Sequence, residues 1–552
     1  MNKLLPIGIE NYEIACSKYY IDKTLLIKEI TDNYIGNSLL ITRPRRFGKS
    51  LNLSMLDYYF NINKSSNDLF KDKKIFKAGD KYIKDINSYP VIHLNLKNLL
   101  SNNSSSLINQ LIELIINLFN EYDYLLDSNK INEIEKKKMK DIMNHQIEDS
   151  LYVSSLYFLS HLLYKHYNKK VVILIDEYDT PLEDSYQKGF YDEIILFFKK
   201  LYSSLLKSNE YLYFAVVTGV LEIAKESIFS DLNNLYVCSV IDDELSSYFG
   251  FTEEEVLQSI KDFNLDFSID EIKTWYGGYG TNKNLFNPWS INNFITKKKF
   301  LSYWVNSGSK DTIIKLINDI PNSIVLLNEF INNKTMKFNF NNSISYKDIK
   351  NDKNTLFSYL VQSGYLIATS TNNYNDYYLS IPNFEINLVF ENEIIKRNEL
   401  SNDNSISKEL FSSIMNKDVN NISRLLKEHI INSFSYYDLI NEKDYQIMLI
   451  SIFSVLFSNY IIKSEVINKL GRCDIMISPK LDNEIGIIIE IKKYKGRLAK
   501  DRLKAYSDKA LNQIKENEYY DELLEKGVNR ILLYGFAFDD KNNEISIDEI
   551  NN

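Results

Sequence analysis

The feature that most limits what this chain can fold into is Gly48-Lys49-Ser50, set between a short apolar run and a segment with helical spacing. Leu39-Leu40-Ile41 reads as a strand, residues 42–47 as a loop and LNLSMLDYYF (51–60) as a helix. A strand–loop–helix with Gly-Lys-Ser at its turn cradles phosphate on backbone N–H groups and on the helix N-terminus. Gly48 belongs to the phosphate-cradling backbone, Lys49 reaches the outer phosphates, and the Ser50 hydroxyl completes a magnesium site. Arg45 and Arg46, with Arg43, add positive charge beside the anion. The loop departs from the general GxxxxGK[ST] pattern: its first glycine is replaced by Arg43, and Pro44 is there to set a different turn.

A Gly-Lys-Ser tripeptide alone is more often just a helix start. It gains weight from VVILIDE (171–177), a β-branched run of the kind buried in parallel sheets. Asp176 at its end is placed to hold magnesium through water, and Glu177 to polarise an attacking water. Thr218 ends another apolar strand, YLYFAVVTGV (211–220), where it senses a γ-phosphate or is simply a solvated strand end. Strands alternating with helices predict an α/β sheet with parallel strands. Beyond 240 the pattern turns helical and polar to about 400, with two aromatic clusters, WYGGYG (275–280) and LFNPWSI (285–291). Trp275, Tyr276, Trp289 and Trp304 are expected to pack this lid against the core.

A second constellation lies near the C-terminus. Asp474 opens an apolar strand (474–478), PKLDNE makes a turn, and a strand over 485–491 ends in Glu490-Ile491-Lys492. Residues i and i+2 of a strand share a face, so Glu490 and Lys492 point the same way. The hairpin brings Asp474 alongside. Two carboxylates suit Mg²⁺, which prefers oxygen ligands, and a bound metal polarises a scissile phosphate. Lys492 orients water or stabilises charge, and Glu465 is expected to add a ligand from a preceding helix. On an edge strand Glu-x-Lys is often a solvated ion pair. IGIIIEI is apolar on both faces, so a central strand is predicted.

At these motifs the chain resembles the AAA-ATPase-like proteins with an appended PD-(D/E)XK nuclease-superfamily domain. Tyr20-Ile21-Asp22-Lys23-Thr24, Arg43 to Ser50 and Ile175 to Leu182 carry the resemblance, with SIFSDLNNL (227–235), WYGGYG and FNPWSI extending it. It implies that RPRRFGKS is the family's own loop, that Asp474, Glu490 and Lys492 form the nuclease set, and that Gln513 matches a glutamine on the following helix. The expected architecture is α/β: an AAA-like P-loop ATPase core over 1–240, a mostly helical lid or middle region over 241–400, and a PD-(D/E)XK nuclease-like α/β domain over 401–552.

Charge and composition bound the function. A formal net charge of −9 is unlike a protein that merely coats nucleic acid, so contact with DNA or RNA must come from local patches. Segment 492–504 is such a patch, or else a solvated basic face: it holds seven basic residues and one acidic. Three scattered cysteines and five histidines offer no zinc set and suit a reducing compartment. The N-terminus lacks a signal-peptide run, and the longest apolar stretch, 447–457, is too short to span a bilayer. An intracellular protein, cytosolic or nuclear, is expected, with ATP and Mg²⁺ as cofactors and nucleic acid, DNA or RNA, as partner. A homo-oligomer fits the class, and no membrane does. The reading is an ATP-binding and ATP-hydrolysing protein coupled to a magnesium-dependent nuclease-like domain. The alternative is a nucleotide-dependent binding or signalling module with a vestigial nuclease fold.

Overall fold

The computed structural model describes residues 4–223, 228–229, 232–304, 330, 335–339, 344, 353–371, 376–391, 404–433, 441–453, 460–467, 471–480 and 485–551. The chain divides into two compact units, Met1–Asp319 with Met336–Ile386, and Ile320–Thr335 with Asn387–Asn552. The expected boundary at 400/401 lies outside the described residues, as do parts of 227–235 and of the turn after Pro479.

The first unit is built on a five-stranded sheet: β1 (Ser38–Thr42), β2 (Val91–Asn95), β3 (Val171–Asp176), β4 (Leu212–Gly219) and β5 (Leu235–Cys238), in the order β2-β3-β4-β1-β5. Every pairing is parallel. Every residue of β1 and β3 is buried, which is why both read as unbroken apolar runs. The helix Lys49–Phe60 packs Leu53, Met55, Leu56, Tyr59 and Phe60 into a cluster with Leu39, Ile41, Phe214 and Val216. The register sets Ile41 beside Thr218 and Ile175 beside Val217. The carboxyl ends of β1, β3 and β4 therefore emerge together. In open α/β sheets that edge is where ligands bind.

The region expected to be mostly helical contains the helices Glu253–Asp262, Ile269–Tyr276, Pro288–Lys297 and Lys353–Gln362. Their starts are written in the sequence. Thr252 and Glu255 form a reciprocal capping box, and the Asn287 side chain caps a helix with Pro288 in its first turn. Unexpected are the pair β6 (Phe251–Thr252) and β7 (Leu285–Phe286), and an antiparallel sheet of β8 (Met336–Asn339), β9 (Ile367–Ser370) and β10 (Asp376–Ser380).

The second unit is a five-stranded sheet in chain order: β11 (Tyr460–Ile467), β12 (Arg472–Pro479), β13 (Gly486–Lys493), β14 (Arg530–Phe538) and β15 (Asn543–Asn551). The expected hairpin is present as antiparallel β12 and β13, and the expected central strand is β13. β13 and β14 are parallel and joined through the helix Lys500–Glu516, as a parallel pair requires. Two strands were not expected. β15 extends the sheet past β14, and β11 replaces the helix on which Glu465 was placed. YIIKSEVI is short and β-branched, and pairing with β12 makes it a strand. Glu465 is thus a strand residue, between the pairs Ser464–Ile475 and Val466–Cys473, which sets position 465 opposite position 474.

The crossover helix lies so close to β14 at Gly535 that a Cβ there would strike the Ser507 carbonyl and sit 2.6 Å from the Leu511 nitrogen. Both obstacles are backbone and cannot swing aside. Gly535→Ala should destabilise the second unit by about 3 kcal/mol, by forced overpacking. Urea unfolding of the full chain, followed by tyrosine fluorescence, checks this. An unchanged midpoint would mean that the helix moves freely off the strand.

Candidate phosphate and carboxylate sites

The loop after β1 is held from several sides. Two residues take left-handed backbone, Arg46 at φ +70° and Gly48 at φ +86°. The turn therefore falls late in the loop and does not need a glycine at position 43. Arg43 corrects the expectation of a charge beside the anion. It is buried, and its guanidinium donates to the carbonyls of Thr42 (2.8 Å), Cys238 (3.0 Å) and Glu244 (3.3 Å). It ties β1 to β5, whose partly exposed sequence announces no strand. The Trp304 indole donates to Arg45 O at 3.0 Å, Arg46 lies over the Trp289 ring at 4.3 Å, and Phe47 meets Tyr279 edge-on at 5.0 Å. Trp289 and Trp304 thus pack against the core as expected. Trp275 and Tyr276 instead stack on Phe300 among the lid's own aromatics.

A cavity of about 480 Å³ opens in front of this loop. Arg45, Arg46, Gly48, Lys49, Ser50 and Glu177 line it, and Ile7, Ile9, Tyr20 and Trp289 give it apolar walls. Lys49 is buried and donates to Arg43 O (2.9 Å) and Pro44 O (3.1 Å). Burial pushes its pKa down, opposed by Glu177, Asp179 and Asp176. Arg45 pairs with Glu183 at 3.2 Å, and Glu183 also accepts from Tyr359 at 3.1 Å.

Asp176 stands at the carboxyl end of β3. Burial raises its pKa, and the nearby Ser50 and Thr218 hydroxyls pull it back. Its Oδ1 accepts from Thr218 Oγ1 at 2.6 Å, while among the described residues no group lies in hydrogen-bond geometry to its buried Oδ2. Thr218 is fully buried on that bond and does not line the cavity, which is unlike the solvated strand end considered above. Glu177 takes φ +53° and accepts from Thr180 Oγ1 at 2.8 Å.

Asp179 was not singled out from the sequence. Its Oδ2 accepts from Val220 N and Leu221 N, both at 2.8 Å, and burial pushes its pKa up to about 7. A Cβ at Gly219 would lie 2.6 Å from both Asp179 and the Tyr178 ring, so glycine there permits the contact. Of the Tyr20–Thr24 motif, Tyr20, Ile21 and Lys23 border the cavity, and Asp22 and Lys23 also tie the segment to its neighbours. Asp22 accepts from Thr24 N and Lys74 N, and Lys23 is buried against Glu255 and Ser247 O.

Glu385 braces the loop through the lid. Its carboxylate accepts from Ser290 Oγ (2.7 Å), Trp304 N (2.6 Å) and Tyr303 N, and burial pushes its pKa up to about 7. The folded state keeps a proton that the unfolded chain releases above 4.5. Stability should therefore fall by up to about 3 kcal/mol as pH rises from 4.5 to about 7, and level off above. Glu385→Gln should remove this share of the slope in denaturant titrations at several pH values, leaving the shares of Asp179 and Glu490. A variant with the wild-type slope would assign it elsewhere.

In the second unit, β12 and β13 set Asp474 next to Glu490. Asp474 Oδ2 accepts from Ile491 N at 2.7 Å, and burial raises its pKa. Glu490 is 2% exposed. Its Oε1 accepts from Lys492 Nζ at 2.9 Å, and among the described residues its buried Oε2 has no hydrogen-bond partner. Burial, reinforced by Asp474, pushes its pKa up to about 7. Burial alone would lower the Lys492 pKa, but Glu490 more than offsets this and raises it, so the amine stays charged. Glu442, thirty-two positions before Asp474, also belongs here. It accepts from Lys493 N at 3.2 Å, and its charge acts on both Asp474 and Lys492. No local motif marks it. Gln513 instead spends its amide on Tyr519 OH at 3.2 Å. Among the described residues no three His, Cys, Asp or Glu side chains form a ready metal cluster. The unpartnered Asp176 Oδ2 and Glu490 Oε2 are nonetheless acceptors of the kind that a divalent cation satisfies.

A family model described as a predicted AAA-ATPase matches residues 6–229, and one described as PD-(D/E)XK nuclease superfamily matches 440–547. An uncharacterized protein in the vnfD 5′ region of Azotobacter chroococcum mcd 1 is 29% identical over 322 residues, which is 57% of this chain and 56% of that relative. The chain thus spans little more than half of that relative's length. The Aeropyrum pernix ORC2 protein, solved as ADPNP–ADP complexes, matches over 67% of this chain and 93% of its own at 10% identity. Its TM-score of 0.23 is too low to bear on the fold.

Proposed function

We propose that this chain, which joins an AAA-ATPase-like region to a PD-(D/E)XK nuclease-superfamily region, binds and hydrolyses ATP and cuts nucleic acid with divalent metal. One observation carries the reading. Among the described residues, a buried carboxylate on an inner strand of each unit leaves one oxygen without a hydrogen-bond partner, Asp176 Oδ2 in the first and Glu490 Oε2 in the second. Such an orphan costs about 1–3 kcal/mol, and a cation held beside the other groups of its site would satisfy it.

Ser50 and Asp176 would hold magnesium in the first unit, and Asp474 and Glu490 in the second, with position 465 of β11 adjacent. Bound there, the ion supplies charge neutralisation at phosphate and acidifies water. The chain's own groups do the rest. Lys49 exchanges its two carbonyl partners for phosphate oxygens, and Arg45 and Arg46 border the same cavity. Glu177 faces that cavity and takes the proton of an attacking water. Thr218 fixes Asp176, acting beneath the site and not on the phosphate. In the second unit Lys492 stays protonated, so it stabilises charge and does not act as a base. The test is cleavage of plasmid DNA by the full chain with Mg²⁺, with and without ATP. A nucleotide-dependent binding module with an inert nuclease fold is the outcome if nothing is cut.

A further inference from the structure

The loop and helix start that follow β13 carry a strongly charged patch that the two sites do not use. Lys495, Arg497, Lys500 and Arg502 are all exposed. Among the described residues, Lys495, Arg497 and Arg502 have no acidic partner, and Lys500 meets only Glu544, at 3.9 Å and 83% exposed. The other basic residues of the segment are spent inside the fold. Lys493 pairs with Asp540 at 2.6 Å, and Lys504 donates to Ile545 O and Ser546 Oγ. The backbone beneath the patch is pinned. Gly496 N donates to Asp540 at 2.8 Å, Leu498 N to Asp539 at 3.1 Å, and Tyr494 N to Phe538 O at 2.9 Å. Three cations without an acidic partner among the described residues, with Lys500 beside them, thus stand on a fixed loop and helix start in a chain of net charge −9, beginning three residues beyond Lys492.

The geometry points to a backbone-contacting surface for duplex nucleic acid, which leads phosphates toward Asp474, Glu490 and Lys492. It rests on the reading of the second unit as acting on nucleic acid. A duplex is favoured over a single strand because the segment offers no free ring for base stacking: Tyr494 and Tyr506 face each other edge-on at 5.8 Å. Contacts to phosphate alone give affinity without sequence preference and a steep salt dependence.

The experiment measures anisotropy of a labelled 20-base-pair DNA duplex and its RNA counterpart with the full chain in EDTA, across a salt series. Three proteins are compared: wild type, the double variant Lys495→Gln/Arg497→Gln, and a control, Lys509→Gln/Lys526→Gln, which removes two exposed lysines elsewhere in the unit. Wild type and the control should bind at least one duplex alike. The 495/497 variant should bind about tenfold or more weakly, with its log–log salt slope shallower by about 2. Equal loss in the control would reduce the effect to overall charge and overturn the surface. So would an unchanged slope in the 495/497 variant, or no duplex binding by wild type. Duplex binding without cleavage at any metal concentration would sink the nuclease reading and leave this surface standing.

Discussion

Lys49→Ala should lose nucleotide binding by at least a hundredfold, and ATP hydrolysis with it. The lysine amine already lies buried in the loop, bonded to the Arg43 and Pro44 carbonyls, so little further ordering is needed when phosphate replaces them. A charge-assisted hydrogen bond contributes about 1.5–3 kcal/mol, and two such bonds amount to about two decades or more in affinity. The fold should survive, since the substitution leaves the apolar packing of the helix Lys49–Phe60 against β1 and β4 untouched. Glu177→Gln should separate binding from chemistry. Its affinity should stay near wild type while turnover falls about 10²- to 10⁴-fold, the range of a lost general base. Isothermal titration with ATP and a phosphate-release assay check both variants. Wild-type turnover in both would remove the ATPase reading.

The second large effect belongs to the other unit. Asp474→Asn and Glu490→Gln should each lower metal-dependent cleavage by about 10³-fold or more, because several kcal/mol of charge stabilisation depend on the ion they would hold. Asparagine at 474 keeps an oxygen for the Ile491 N–H, so the hairpin should stay folded. Lys492→Ala should also lose cutting, and it leaves Glu490 without its ammonium partner. ATP hydrolysis should persist in all three. EDTA should abolish cleavage, and calcium should bind yet support little of it, given its looser geometry. Cleavage that persists in Asp474→Asn would assign the chemistry to another site.

What could be read from the sequence was what is contiguous along it. The stretch from Ser38 to Ser50 and the run from Val171 to Glu177 each set a strand directly beside its chemistry, and β4, parallel to both, brings the two to one edge of the sheet. The hairpin of Asp474 with Glu490 and Lys492 was legible for the same reason. The strand β5 was not, because its side chains alternate in exposure without an apolar run and pairing with β1 secures it. Arg43 looked like a charge for the anion because composition cannot say which way a side chain turns; burial turned it to β5. Asp179 reads as one more acid in IDEYD; its hydrogen bonds from Val220 N and Leu221 N, which the glycine at 219 permits, are what clamp the segment after β4. Glu442 reaches the carboxylate pair from a helix that sequence spacing does not link to it. Glu465 lies on a strand and not on the expected helix, because the short β-branched run YIIKSEVI pairs with β12.

The coupling of the two units is the central claim, and one assay bears on it most directly: supercoiled plasmid incubated with the full chain and Mg²⁺, with and without ATP, beside Lys49→Ala and Asp474→Asn. The account predicts that wild type cuts, that ATP changes the rate, that Lys49→Ala cuts without responding to ATP, and that Asp474→Asn does not cut while still hydrolysing ATP. Intact plasmid in every nucleotide state, or cutting by Asp474→Asn equal to wild type, would contradict it.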